Sequence, residues 1–332
     1  MSEYSKIVVT GGAGFIGSQL VKRLVKEGYD VTVVDNLSRG KMANLADIED
    51  KINFLMMDLR HYQPTKDIIK GADVVFHLAA ILGGIGYIKE HELDCMDNAV
   101  IDRNVIRACV EGGVKKLIYT STACVYPVEL QTKSHEEYLL KEDDATWGGA
   151  SPESLYGWIK LLGEIALQKV WDKHKMKAVI LRLFNVYGET EVFDPKYGHV
   201  IPALISKVIM RQNPLVVWGS GEQSRAFTYV DDVVDAYMLA MEKLDYPTPV
   251  NIGTPRRVKI RKLAEMIVEL GDRYLDFKPD IVFDESKPIG VWTRCPDITR
   301  AKDLLGWRPK TILKEGLEKT FLGALKKFEG KG

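Results

Sequence analysis

Tyr156 and Lys160 stand one helical turn apart in Tyr156-Gly157-Trp158-Ile159-Lys160, within a stretch, 154–174, that carries apolar residues at helical spacing. A phenol and an ammonium on one helix face make an acid/base pair. The positive charge favours the phenolate, lowering the phenol from its usual ~10, and the ammonium can also hold a ribose. Tyr156 is therefore a candidate general base, although the Y-x-x-x-K spacing also arises by chance on amphipathic helices. Upstream, Ser121-Thr122-Ala123-Cys124-Val125-Tyr126-Pro127 places a hydroxyl and a thiol at the end of an apolar run, 116–121. Thr122 can hydrogen-bond the oxygen that Tyr156 deprotonates. A thiol, ordinarily titrating near ~8.5, can exchange a proton close to neutral pH without carrying a permanent charge, which makes Cys124 a second acid/base candidate. A lone cysteine is also an ordinary core residue, so its role depends on where the fold puts it. His77, inside an apolar run, reads as structural.

A second constellation is Thr10-Gly11-Gly12-Ala13-Gly14-Phe15-Ile16-Gly17, directly after the apolar run 6–10 and at the start of a helical pattern, 14–28. Glycines at this spacing allow a tight turn, let backbone approach a pyrophosphate, and let the helix pack close to the strand. The helix N-terminus then faces the phosphates with its partial positive charge. The next apolar run, 31–35, ends in Asp35. An acid there can bind the adenosine ribose hydroxyls and repels a 2′-phosphate, favouring NAD over NADP, although nearby Arg39 is a residue type that accommodates such a phosphate.

The elements that must carry these residues alternate. Short β-branched runs at 6–10, 31–35, 52–56, 73–79, 116–121 and 178–184 are separated by helical patterns at 14–28, 90–112 and 154–174. This predicts βαβ units and an α/β fold of Rossmann type, a doubly wound parallel sheet, with a smaller C-terminal substrate-binding α/β domain. After Asn185 the pattern loosens under Pro and Gly punctuation. The expected division is a cofactor-binding domain of 1–185, with 225–252 returning to it, and a substrate-binding domain of 186–224 and 253–332. The polar stretch 131–145 reads as an exposed, solvated insertion.

Across 332 residues, Lys plus Arg and Asp plus Glu each total 46, so no basic excess points to nucleic acid as a partner. The four cysteines lack C-x-x-C spacing, which predicts reduced thiols and no metal site. Neither a leader pattern nor an apolar run of ~18 residues is present, so the expectation is a cytoplasmic protein with no membrane association.

Taken with Asp58-Leu59, Leu78-Ala79-Ala80, Arg182-Leu183-Phe184-Asn185-Val186-Tyr187-Gly188, Arg225-Ala226-Phe227-Thr228-Tyr229-Val230-Asp231-Asp232, Asn251-Ile252-Gly253 and Leu305-Gly306-Trp307-Arg308-Pro309, the chain resembles the extended short-chain dehydrogenases/reductases that act on nucleotide sugars. The resemblance runs over nearly the whole chain. It implies NAD held by Gly11, Gly14, Phe15, Ile16, Gly17, Asp35, Asn36, Ser38, Arg39, Asp58, Leu59, Leu78, Ala79, Ala80, Asn98, Tyr156 and Lys160. It also implies a GDP- or UDP-linked sugar held by Gly84, Tyr87, Asn185, His199, Val200, Trp218, Arg225 and Arg294, and a homodimer formed through 90–112 and 154–174.

Within the family, Gly83-Gly84-Ile85-Gly86-Tyr87-Ile88 and the Cys124 segment are similar to the GDP-mannose 3,5-epimerases, and Gly198-His199-Val200-Ile201-Pro202-Ala203-Leu204 to the GDP-L-fucose synthases. Both branches move protons at C3 and C5 of a 4-keto sugar, which implies that Thr122, Cys124, Tyr156, Lys160 and His199 are the catalytic set. The epimerases use a lysine as the second acid/base, so His199 or Lys196 must substitute for it here. The synthases consume NADPH, whereas Asp35 favours a retained NAD, which points to an epimerase. The expected activity is an NAD-dependent isomerisation with transient oxidation at C4 and proton exchange at C5, C3 or both. Alternatives are UDP-sugar 4-epimerisation, reductive synthase chemistry and C5/C6 dehydration; a non-catalytic NAD-binding scaffold is disfavoured because Tyr156 and Lys160 are both present.

Overall fold

The computed structural model describes residues 4–146 and 148–329. Six strands of the first half, β1 (Lys6–Thr10), β2 (Asp30–Asp35), β3 (Asn53–Met56), β4 (Val74–His77), β5 (Lys116–Thr122) and β6 (Lys177–Leu183), join Pro249–Ile252 in one seven-stranded sheet. Every pairing is parallel, in the order Pro249–Ile252, β6, β5, β4, β1, β2, β3. Helices α1 (Phe15–Lys26), α2 (Tyr62–Ile69), α3 (Ile85–Glu90), α4 (Asp97–Gly112) and α5 (Leu155–His174) supply the first-half crossovers.

The period of two along each strand accounts for both faces of this sheet. Val9, Val33, Phe76 and Val179 point into a core with Leu20 and Tyr237, while their neighbours Val8, Val34, Val75 and Ile180 point into another with Val105 and Leu167. A separate core built on Ile205, Val217, Leu263 and Phe321 lies under the small sheets of the C-terminal half. There, Ser224–Ala226 pairs with Arg257–Lys259 and Thr293–Arg294, so residue 225 belongs to a small sheet, and the chain rejoins the large one at Pro249–Ile252. Among the described residues, no helix is long and apolar enough to cross a membrane.

Three expectations shift. The run 73–79 leaves the sheet at His77, because Leu78, Ala79 and Ala80 turn out to line a cleft. The helix expected over 90–112 is broken: α3 ends at Glu90, a 3-10 turn spans Asp94–Met96, and α4 starts at Asp97. The stretch 131–145 is not simply a solvated insertion, since Gln131, Leu140, Glu142 and Ala145 are buried. Arg182 on β6 explains this. Its guanidinium makes a two-pronged bond to Glu164 on α5 at 3.0 and 2.7 Å and donates to the carbonyls of Glu142 at 2.7 Å and Ala145 at 2.8 Å.

Candidate active site

The strand order reverses around β1, where β1 lies between β2 and β4, so the loops leaving the carboxyl ends of these strands diverge and open a crevice. A cleft of about 480 Å³ begins there and runs into the C-terminal half. Gly11 has a left-handed φ of 71°, and a Cβ on Gly17 would fall 2.2 Å from the Gly11 carbonyl oxygen, so both glycines are sterically required for the turn and the close helix. The N-cap, Gly14, has no side-chain hydrogen bond, and the first turn of α1 contains no acid, which leaves its amide dipoles available to an anion. Asp35 braces the loop: Oδ2 accepts from the Ala13 amide at 3.0 Å and Oδ1 from Leu37 at 2.8 Å. Burial pushes its carboxyl upward, against those two bonds.

Gly11, Gly14, Phe15, Ile16, Gly17, Asp35, Asn36, Ser38, Arg39, Asp58, Leu59, Leu78, Ala79 and Ala80 all line the cleft. Arg39 lies over the Tyr87 ring, 5.5 Å from its centroid. The Asp58 carboxylate is held by Arg60, which brings it down to about 2. Asn98 departs from its expected place. It is fully buried, and its amide clamps both backbone groups of Ile81, at 2.7 and 2.8 Å, from behind the cleft wall.

Ser154 caps α5 by accepting the Gly157 amide, which fixes the first turn and directs Tyr156 into the cleft. Gly157 lets that turn sit against the 3-10 turn Ala123–Val125 that follows β5, since a Cβ would lie 2.3 Å from the Cys124 carbonyl oxygen. Lys160 lies deeper, outside the cleft lining, with its ammonium directed at Asp102, 3.4 Å from Oδ2. The expectation that Lys160 lowers the Tyr156 phenol is therefore corrected. Burial drives Tyr156 well above its ordinary value, with Cys124 and Asp102 adding to the rise and Thr122 opposing it. The carboxylate of Asp102 offsets the lysine charge at the phenol.

Thr122 ends β5, and its Oγ1 accepts the Cys124 amide at 3.2 Å, so hydroxyl and thiol enter the cleft as one unit. Arg294 Nη1 donates to Cys124 Sγ at 3.4 Å, and its Nε donates to Gln131 at 2.7 Å. Its Nη2 is buried and has no partner among the described residues. His199 reaches the cleft because two backbones meet closely: the Gly84 amide bonds the Tyr197 carbonyl at 3.0 Å, and a Cβ on Gly84 would lie 2.4 Å from the Gly198 oxygen. His199 Nδ1 lies 2.6 Å from the buried Glu191 carboxylate, which assigns the proton to Nδ1 and leaves Nε2 as the acceptor nitrogen. Lys196 also lines the cleft, but it is exposed and bonded to Tyr197 and Glu90.

Asn185, Val200, Trp218, Arg225 and Arg294 line the C-terminal side with Gly84. The side-chain oxygen of Asn185, a residue of this lining, is another buried group without a partner among the described residues. Arg225 spends its N–H groups on the carbonyls of Ser224, Ile289, Val291 and Trp292, and so holds the loop that closes this end. Tyr87 is absent from the lining; it stacks on His91, with ring centroids 4.5 Å apart, in an aromatic cluster with Tyr197.

The model of the NAD dependent epimerase/dehydratase family matches residues 7–253. The chain belongs to that family. GDP-mannose 3,5-epimerase 1 of Oryza sativa subsp. japonica is 33% identical over 331 residues, covering 99% of this chain and 84% of its own length. UDP-glucuronic acid decarboxylase 1 of Arabidopsis thaliana is 32% identical over 336 residues, covering 98% and 72%. The structure of UDP-glucose 4-epimerase from Thermotoga maritima, solved with UDP-glucose, matches with a TM-score of 0.85 at 32% identity, covering 97% of this chain and 99% of that one.

The cofactor is NAD, the one bound by solved neighbours in this NAD-dependent family, and the chain's own groups fit it. The glycine cradle and uncapped helix suit a pyrophosphate, and Asp35 keeps lone pairs for ribose hydroxyls. Four residues at the site carried no signal in the sequence. Glu191, Gln131, Asp102 and Glu153 belong to no motif and converge only through tertiary contacts with His199, Arg294, Lys160 and the cleft wall.

Proposed function

We propose that this protein is a nucleotide-sugar epimerase of the GDP-mannose 3,5-epimerase type, borrowing a hydride at C4 and exchanging protons at C5, C3 or both. The observation that carries the reading is the guanidinium of Arg294 on the sulfur of Cys124 in the same cleft as Tyr156. Tyr156 accepts the C4 hydroxyl proton while Thr122 holds that oxygen. NAD, when bound, supplies the acceptor and later the donor of the C4 hydride. A ketone at C4 acidifies the hydrogens at C3 and C5 by enolate formation. The Cys124 thiolate, partnered by Arg294, removes one of them and becomes the thiol, and protonated His199 returns a proton through Nε2. Glu191 stabilises the imidazolium when His199 acts as the acid. The unpartnered Arg294 Nη2 and Asn185 Oδ1 are left for the diphosphate and its ribose.

In D2O, GDP-mannose is expected to gain deuterium at C5, followed by proton NMR. Cys124→Ala should slow that exchange on the order of 10²-fold while leaving C4 oxidation intact. Conversion without deuterium uptake would instead establish simple 4-epimerisation, the reading that similarity to a UDP-glucose 4-epimerase supports. Offering UDP-glucose and UDP-N-acetylglucosamine in parallel separates the two nucleotide classes.

A homodimer in the reducing cytoplasm completes the proposal, supported by four unpaired cysteines and by an apolar surface on α4, α5 and the turn before them. Leu93, Met96, Val100, Trp158 and Leu162 are exposed there, Leu93 at 75% and Leu162 at 52%. Trp158→Glu combined with Leu162→Glu is expected to give a monomer by light scattering; an unchanged mass would place the dimer face elsewhere.

A further inference from the structure

Behind Tyr156 lies a buried ionic cluster that holds Lys160. Asp102 on α4 faces Lys160 on α5, with side chains 5% and 2% exposed and Nζ 3.4 Å from Oδ2. The same carboxylate accepts from His77 Nε2 at 2.9 Å and from the Tyr119 hydroxyl. His77 Nδ1 lies 2.7 Å from the Thr10 hydroxyl, whose oxygen also accepts the Ala79 amide at 3.3 Å. That pattern makes Thr10 the donor to Nδ1, so a neutral His77 carries its proton on Nε2, towards Asp102. Thr10 precedes the glycine loop, and Ala79 lines the cleft. The lysine is thus tied, through one carboxylate and one imidazole, to the two backbone segments around the cofactor crevice. Gly163 is required for this: a Cβ there would fall 2.1 Å from the Tyr119 hydroxyl and 3.2 Å from Asp102 Oδ2.

We propose that Asp102 is the positioning residue of Lys160, the anchored counter-charge that fixes its ammonium behind Tyr156 and keeps it cationic. The proposal rests on the reading of Tyr156 and Lys160 as the reacting pair. A lysine buried this deeply without a partner loses its proton near neutral pH. Burial pulls Lys160 down and Asp102 pulls it only part of the way back, while burial raises Asp102 but the Lys160 charge and the bonds from His77 and Tyr119 more than reverse it. The other ionisable groups facing the pair are His77 from β4, Tyr119 from β5, and Tyr156 and Glu164 from α5, with Cys95 and Cys124 beyond Tyr156. Glu164 is taken up by Arg182 and Ser121, which leaves Asp102 as the carboxylate committed to the lysine. The arrangement gives up part of the lysine's effect on the phenol in return for a lysine that remains charged.

The test is the pH dependence of NAD+ affinity, read by tryptophan fluorescence for wild type and Asp102→Asn without any sugar present. Wild-type affinity should stay level from about pH 6 to about pH 9, whereas the Asp102→Asn deficit should grow from a few-fold to more than about tenfold as Lys160 loses its proton. A deficit of the same factor at every pH overturns the proposal, because a merely structural aspartate has no reason to track the lysine's titration. If Asp102→Asn does not fold, the double variant with Lys160→Met decides. Recovery of a cooperative thermal transition on removing both charges supports the pairing, and a double variant as unfolded as the single overturns it. Failure of the Lys160 role itself is distinguishable: Lys160→Met would then turn over substrate at the wild-type rate.

Discussion

Tyr156→Phe is expected to lose about 10³–10⁴-fold in kcat while NAD+ affinity changes by no more than about threefold. The change deletes one hydroxyl from a ring that is 7% exposed, so packing is kept and no cavity forms. In the proposed reaction, what disappears is the group that takes the C4 hydroxyl proton, with Thr122 beside it but itself engaged by the Cys124 amide. Because burial raises the phenol, the base form is scarce at neutral pH, and wild-type turnover should climb as pH rises through the alkaline range. That climb should vanish in the Phe variant. Turnover within about tenfold of wild type would assign the base elsewhere in the cleft.

Arg182→Met should destabilise the fold by about 3–5 kcal/mol, measured by urea unfolding. Arg182 and Glu164 are 1% and 2% exposed, and the substitution leaves a buried carboxylate with its guanidinium partner gone. It also strands the carbonyls of Glu142 and Ala145. Burial lowers Arg182, but pairing with Glu164 and Tyr126 outweighs it, so the charge is retained in the folded protein. A second change, Glu164→Leu, should recover part of the loss, since a buried ion pair costs less to remove whole than to split. A loss below about 1 kcal/mol for the single variant would show that water reaches this pair.

Legibility divides sharply between the two halves of the cleft. The cofactor side was readable because its determinants are local: Gly11 to Gly17 is one turn and one helix start, and Asp35 is fixed by the strand that precedes it. Tyr156 and Thr122 were readable for the same reason, being set by a capped helix and a strand end. Asn98 and Tyr87 were misplaced because a helix pattern and a glycine loop say which residues are near the crevice, not which side chains face it. Both turn to neighbours that are remote in mechanism, the Ile81 backbone and the ring of His91.

The sequence by itself determined the parallel doubly wound sheet, the glycine cradle, NAD as the cofactor and the hydroxyl, phenol and thiol that line the cleft. These depend on periodicity, φ/ψ demands and residue chemistry over short spans. Only the tertiary structure decided that Arg294 sits on Cys124, that Glu191 orients His199, that Gln131 holds Arg294 and that Asp102 pairs with Lys160. Each is a contact between side chains from separate elements, set by helix packing and loop approach. Charge partners at 3 Å leave no periodic trace in the chain, because a burial pattern records that a residue is inside and not whom it meets there.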